Sequence, residues 1–149
     1  MKAALVLALF AVPGFVSAQA RPATCEVRPL WVVKGGPRSA DLGVIGTFEA
    51  DGKEGIAIRS FKLPNSGLVV TAGINYEFDY SHKPEPAPFR ISMAITVSDR
   101  EQSEIFESVD SSEASTRYDK HWNLRVTRNI PFDNRTYMFT LNCWDSKKK

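Results

Sequence analysis

Between Leu68 and Tyr80 every second residue is apolar or aromatic. Leu68, Val70, Ala72, Ile74, Tyr76, Phe78 and Tyr80 form one set, and Thr71, Asn75, Glu77 and Asp79 lie between them. A period of two is the geometry of an extended strand with one face in a core and the other in water. A helix, with 3.6 residues per turn, would mix the two sets on every face. The same alternation recurs at Ile91, Met93, Ile95 and Val97, at Trp122, Leu124 and Val126, and at Tyr137, Phe139, Leu141 and Cys143. Four such segments commit the chain to β structure.

Shorter signals complete the pattern. Asp51-Gly52 stands between Val44 and Phe48 on one side and Ile56 and Ile58 on the other, a hairpin signal because both turn positions tolerate positive φ. Cys25, Val27, Trp31 and Val33 predict a first strand, which Pro29 should confine to an edge or interrupt with a bulge. Turn residues gather at 34–41, 64–67, 83–88 and 133–135. The expected fold is therefore all-β, an antiparallel β-sandwich of seven or eight strands in one domain. The stretch 99–113 is ambiguous. Glu101, Glu104, Glu107, Asp110 and Glu113 recur every three positions, as on a short acidic helix, whereas Ile105 to Val109 also reads as a strand, the reading adopted here.

The start of the chain has the layout of a secretory signal peptide. Met1-Lys2 gives a positive start, Ala3 to Val12 is unbroken apolar, and Pro13-Gly14 breaks the run. Val16 with Ala18, or Ala18 with Ala20, supplies the small residues that flank a cleavage point. The apolar run is about half of the 20 residues a membrane span requires. Residues 1–20 are thus read as a leader, 21–145 as a β-sandwich domain and 146–149 as a basic tail, in a secreted or periplasmic protein. An oxidising compartment favours joining the two cysteines. Cys25 and Cys143 fall on the inward parity of the first and last strands, so a buried disulfide between neighbouring terminal strands is expected. Across a separation of 118 residues, chain entropy makes such a bond worth about 4–5 kcal/mol. The layered pattern resembles the immunoglobulin or fibronectin-type architecture in general. It matches no particular family: antibody domains carry Tyr two residues before the second cysteine, where this chain has Leu141, and Trp31 is too near Cys25.

Composition limits the function. With 43% hydrophobic residues the chain can bury a core, and a net charge of +2 gives no field for a nucleic-acid partner. The common catalytic spellings and phosphate loops are absent. Asp79, Ser81 and His82 invite a triad reading, but successive strand side chains point to opposite faces. His82 and His121 are the 2 histidines; zinc would need Asp79, Glu85 or Asp119 brought in from afar, and His121 has the outward parity of a surface residue. Asp99, Glu101, Glu104 and Asp110 lack the Gly and spacing of a calcium loop. No metal or cofactor is expected. Arg117, Lys120, Arg125, Arg128, Arg135 and Lys147 to Lys149 read as solubilising charges. Asn134-Arg135-Thr136 is a glycosylation sequon.

The binding candidates are His82, Lys83 and Glu85 in the loop stiffened by Pro84, Pro86 and Pro88, together with Trp144, which with Met138 faces outward on the last strand. The expected function is an exported, non-catalytic binding or accessory module, with a protein or small-molecule ligand outside the cytoplasm. One alternative is a secreted inhibitor or assembly protein that acts through a loop or strand edge. Another is a small hydrolase or metal-dependent enzyme, in which His82 or His121 would converge with carboxylates.

Overall fold

A computed structural model describes residues 20–33, 39–81, 89–99, 105–107, 112–116, 121–132 and 135–146. Ten strands form: β1 (Ala23–Val33), β2 (Ser39–Asp41), β3 (Gly46–Ala50), β4 (Gly55–Lys62), β5 (Leu68–Phe78), β6 (Phe89–Asp99), β7 (Ile105–Glu107), β8 (Ser112–Thr116), β9 (Asn123–Phe132) and β10 (Arg135–Asp145). They make two antiparallel sheets, β2-β1-β10-β9 with β3 beside β1, and β4-β5-β6-β7 with β8 beside β6. β2 and β3 lie in line along one side of β1, and β7 and β8 along one side of β6. Each pair fills one strand position, so the ten segments occupy eight positions, the upper of the two expected numbers. The stretch 99–113 contributes strand and no helix among the described residues.

The order of neighbours is that of the chain. β1 pairs with β2 and β3, the chain crosses to β4, runs through β5, β6, β7 and β8, and crosses back to β9 and β10. β10 then closes on β1 in an eleven-residue register from Ala23↔Asp145 to Val33↔Arg135. Immunoglobulin-type domains share the two layers but use Greek-key connections; this chain is an up-and-down meander. Cys25 and Cys143 face each other in the closing register, with Cα atoms 4.1 Å apart, and are bonded. The disulfide therefore joins neighbours within one sheet, as their shared parity predicts.

Alternation decides the core. The even residues of β5, odd residues 91–97 of β6 and odd residues 137–145 of β10 are buried. Tyr76 meets Trp122 edge-on at 6.3 Å between ring centroids, and Tyr137 stacks on Phe139 at 6.0 Å. Contrary to expectation, Pro29 neither confines β1 to an edge nor bulges it. The register with β10 runs unbroken and the strand has neighbours on both sides, which is possible because β3 pairs only up to Val27 and β2 begins at Leu30. Proline's lack of an N–H costs nothing in that gap. Its carbonyl accepts from Leu42 N at 3.1 Å, and Arg28 and Asp41 form an ion pair of 3.0 Å beside the gap.

A further local expectation changes. Asp51-Gly52 does not close a hydrogen-bonded hairpin: β3 pairs with β1 and β4 with β5, so the turn carries the chain from one sheet to the other. The corner is tight. Phe61 lies on Gly46 and against Phe48, with the two rings 6.3 Å apart. In β4 the inward positions belong to Ala57 and Phe61, which pair with Ile74 and Val70. Ile56 and Ile58 consequently face out, 65% and 46% exposed, over Gly73.

Gly52 at this corner has φ +75°, and a Cβ there would stand 2.3 Å from the Ala20 carbonyl oxygen. Gly52→Ala is expected to destabilise by more than about 1 kcal/mol, since strain and collision act together. Gly67→Ala, in open space, should be neutral or slightly stabilising. Thermal unfolding of the two variants provides the check; equal midpoints would contradict the corner geometry.

Candidate functional site

At one end of the sandwich three chain segments meet: Arg21 just before β1, His121 and Trp122 just before β9, and Asp145 closing β10. Asp145 continues the inward parity of Tyr137, Phe139, Leu141 and Cys143, so alternation buries a carboxylate, with its side chain 6% exposed. A buried charge must find partners, and Asp145 has them. The Trp122 backbone N–H donates to its Oδ1 at 3.1 Å, His121 Nδ1 lies 2.6 Å from its Oδ2, and an Arg21 guanidinium nitrogen lies 3.4 Å from the same oxygen. Backbone bonds run alongside: Asp145 N donates to Trp122 O at 3.2 Å, and Ser146 N to Pro22 O at 2.6 Å.

Burial pushes the Asp145 pKa up, but the Trp122 amide, then His121 and Arg21, outweigh it and hold the carboxyl below its ordinary range. Beneath the cluster the Tyr76 hydroxyl donates to the Arg21 carbonyl at 3.5 Å. Burial, with Asp51 and Asp145 nearby, raises its pKa.

Histidine held on a buried carboxylate is the base-and-orienter half of a catalytic triad. The other half would be a nucleophile facing Nε2. Here one Arg21 guanidinium nitrogen, which only donates, stands beside both ring nitrogens, 3.2 Å from Nδ1 and 3.4 Å from Nε2. The nearby hydroxyls of Thr24 and Ser146 are bonded to each other at 2.6 Å. The geometry thus holds the starts of two strands to the end of a third. Among the described residues no three His, Cys, Asp or Glu side chains are grouped to hold a metal ion.

A carboxylate whose folded pKa is depressed contributes stability above its unfolded pKa and loses it as pH falls through the folded value. Asp145→Asn should therefore lower the urea midpoint at neutral pH, with the gap from the native protein closing as acid is added below the ordinary carboxylate range. A gap that stays constant with pH would contradict the cluster.

The remaining sequence candidates divide as follows. Cys25 and Cys143 are bonded to each other. Trp144 and Met138 lie on the outer face of β10, half-buried, with Trp144 opposite Thr24. His82, Lys83 and Glu85 fall outside the described residues, as do residues 1–19 of the leader, the three loop prolines, Asn134 of the sequon and Lys147 to Lys149. The Ser81 hydroxyl and backbone N–H both donate to Asp79 Oδ1, at 2.5 and 2.9 Å, closing a turn after β5, while His82 lies outside the described residues. His121 is 60% exposed, as a surface residue should be, yet its ring is bound to a buried acid. The sequence signal for that contact was Asp145 itself, a charge at a core position.

On the outer face of the second sheet, Ile56 and Ile58 project beside a polar ladder in which Ser60 and Thr71 hydroxyls bond at 2.8 Å and Asn75 Nδ2 donates to Glu77 at 2.9 Å. Compared with family models, curated proteins and solved structures, the chain gives no match to any of the three.

Proposed function

We propose that the chain is an exported, non-catalytic accessory module that acts by binding a protein outside the cytoplasm. The buried disulfide supports a location in an oxidising compartment, extracellular or periplasmic. Among the described residues no helix is long and apolar enough to cross a membrane, which fits the same location. The observation that carries the binding role is the Ile56/Ile58 pair. β4 packs Ala57 and Phe61 inward and still spends two isoleucines on its solvated face. Contiguous exposed apolar side chains rimmed by polar residues mark protein–protein contact sites, and the Ile56/Ile58 pair beside the Ser60–Thr71 ladder has that make-up.

Cross-linking in the exporting cell tests this reading. The native protein should give a discrete adduct with one exported protein. Ile56→Ser/Ile58→Ser should lose it while keeping its unfolding free energy within about 0.5 kcal/mol of the native value, as surface changes do. Retention of the full leader inside the cell would overturn the exported location, and absence of any adduct would overturn the binding role. β4 is also the edge strand of its sheet, which favours the inhibitor or assembly alternative acting by strand pairing. An adduct that survives the double substitution would select that edge over the isoleucine face.

A further inference from the structure

Two overlapping frames of small residues offer themselves for leader removal, Val16-Ser17-Ala18 and Ala18-Gln19-Ala20. The second is the closer match to the Ala-x-Ala pattern, and a cut there would make Arg21 the first residue of the mature chain. The folded domain argues for the first. Ala20 is 4% exposed and belongs to the hydrophobic core. Its N–H donates to the Gly52 carbonyl at 2.8 Å. Its own carbonyl oxygen occupies the space that any side chain on Gly52 would need. The corner turn between the sheets therefore holds residue 20 by its N–H, passes close over its carbonyl because position 52 has no side chain, and leaves its methyl group in the core.

We propose that the leader is cut between Ala18 and Gln19, and that Ala20 is retained as a structural part of the mature domain. This rests on the exported reading given above. A cut after Ala20 would remove the gripped residue and turn the Arg21 nitrogen into a charged α-ammonium at the mouth of the Gly52 corner. Arg21 would then be terminal while its carbonyl accepts from Tyr76 and its guanidinium lies against Asp145. A buried contact set and the end of the Asp145 cluster would fray together.

The reaction is hydrolysis by a leader peptidase that accepts small residues. Water adds to the Ala18 carbonyl, the Ala18–Gln19 C–N bond breaks, the hydroxyl stays on Ala18 and the proton goes to the Gln19 nitrogen. The new Gln19 amine then attacks its own side-chain Cδ and expels ammonia, closing a five-membered lactam. A mature chain starting at Gln19, open or cyclised, is the same cleavage.

Two measurements test the proposal. The first is the intact mass of the exported protein, where a terminus at Gln19, or its form lighter by one ammonia, is expected and a terminus at Arg21 overturns the cleavage site. A chain that keeps Met1 overturns the exported reading and the cleavage with it. The second measurement is independent of export: oxidised chains beginning at Gln19 and at Arg21 are refolded and melted. The shorter chain should melt lower by roughly 2–6 °C, and equal midpoints would show that the fold does not need Ala20.

Discussion

Replacement of Cys25 and Cys143 by alanine will lower the stability of the folded state by about 4–5 kcal/mol through chain entropy alone. The bond spans 118 residues, nearly the whole described domain, so its loss releases almost the full length of the unfolded chain. It also secures the one strand pair that the meander cannot bring together locally. Every other neighbouring pair is close in sequence, whereas β1 and β10 come from opposite ends of the domain. Among the strand pairings of the fold, this one closes the longest loop and so carries the largest loop-closure cost. Since native domains are stable by only about 5–15 kcal/mol in total, the double variant should be near the threshold of folding. Urea unfolding of the native and Cys25→Ala/Cys143→Ala proteins measures the difference. A midpoint unchanged by the substitution would mean that β1 and β10 are held without the bond.

Phe139→Ala should cost about 3–5 kcal/mol, the range for removal of a large buried aromatic side chain. Phe139 is fully buried, stacks on Tyr137, and occupies the middle of β10 between β1 and β9. Both neighbouring strands hold the backbone in register, so the site cannot collapse to fill the void. Thr140, one residue further, faces out, and its hydroxyl lies 3.4 Å from that of Thr127. Thr140→Ala should cost less than about 1 kcal/mol. Comparison of denaturation midpoints for the two variants reads the parity of the strand directly. Similar losses at 139 and 140 would contradict a one-sided core.

Parity was also the most legible feature of the sequence. Long alternating runs such as 68–78 and 135–145 carry enough side chains for the buried set to be unmistakable, and they placed both cysteines on one inward face. Short strands carry less information. In β4 the larger residues at Ile56 and Ile58 point to one face and the single Phe61 to the other, and the packing of Phe61 over Gly46 decides between them. That contact lies between sheets and leaves no mark in local periodicity. The same holds for Asp51-Gly52, where a turn signal is equally suited to a hairpin and to a corner. Pro29 was legible as an interruption, but its harmless position depended on where β2 and β3 happen to end. The Arg21–His121–Asp145 cluster joins residues from three distant segments, and only the acid's parity betrayed it.

The closing pair of strands also determines how the domain would bear a mechanical load. The described chain enters at Ala20, held on Gly52, and Ser146 is bonded to Pro22 through the backbone, so both ends emerge at the same end of the sandwich. Tension applied through them would peel β1 from β10 like a zipper, one residue pair at a time. It would open Ala23 from Asp145 and Thr24 from Trp144, and then meet the covalent bond between Cys25 and Cys143. The force would pass through sulfur and around the rest of the molecule, leaving the two sheets unloaded.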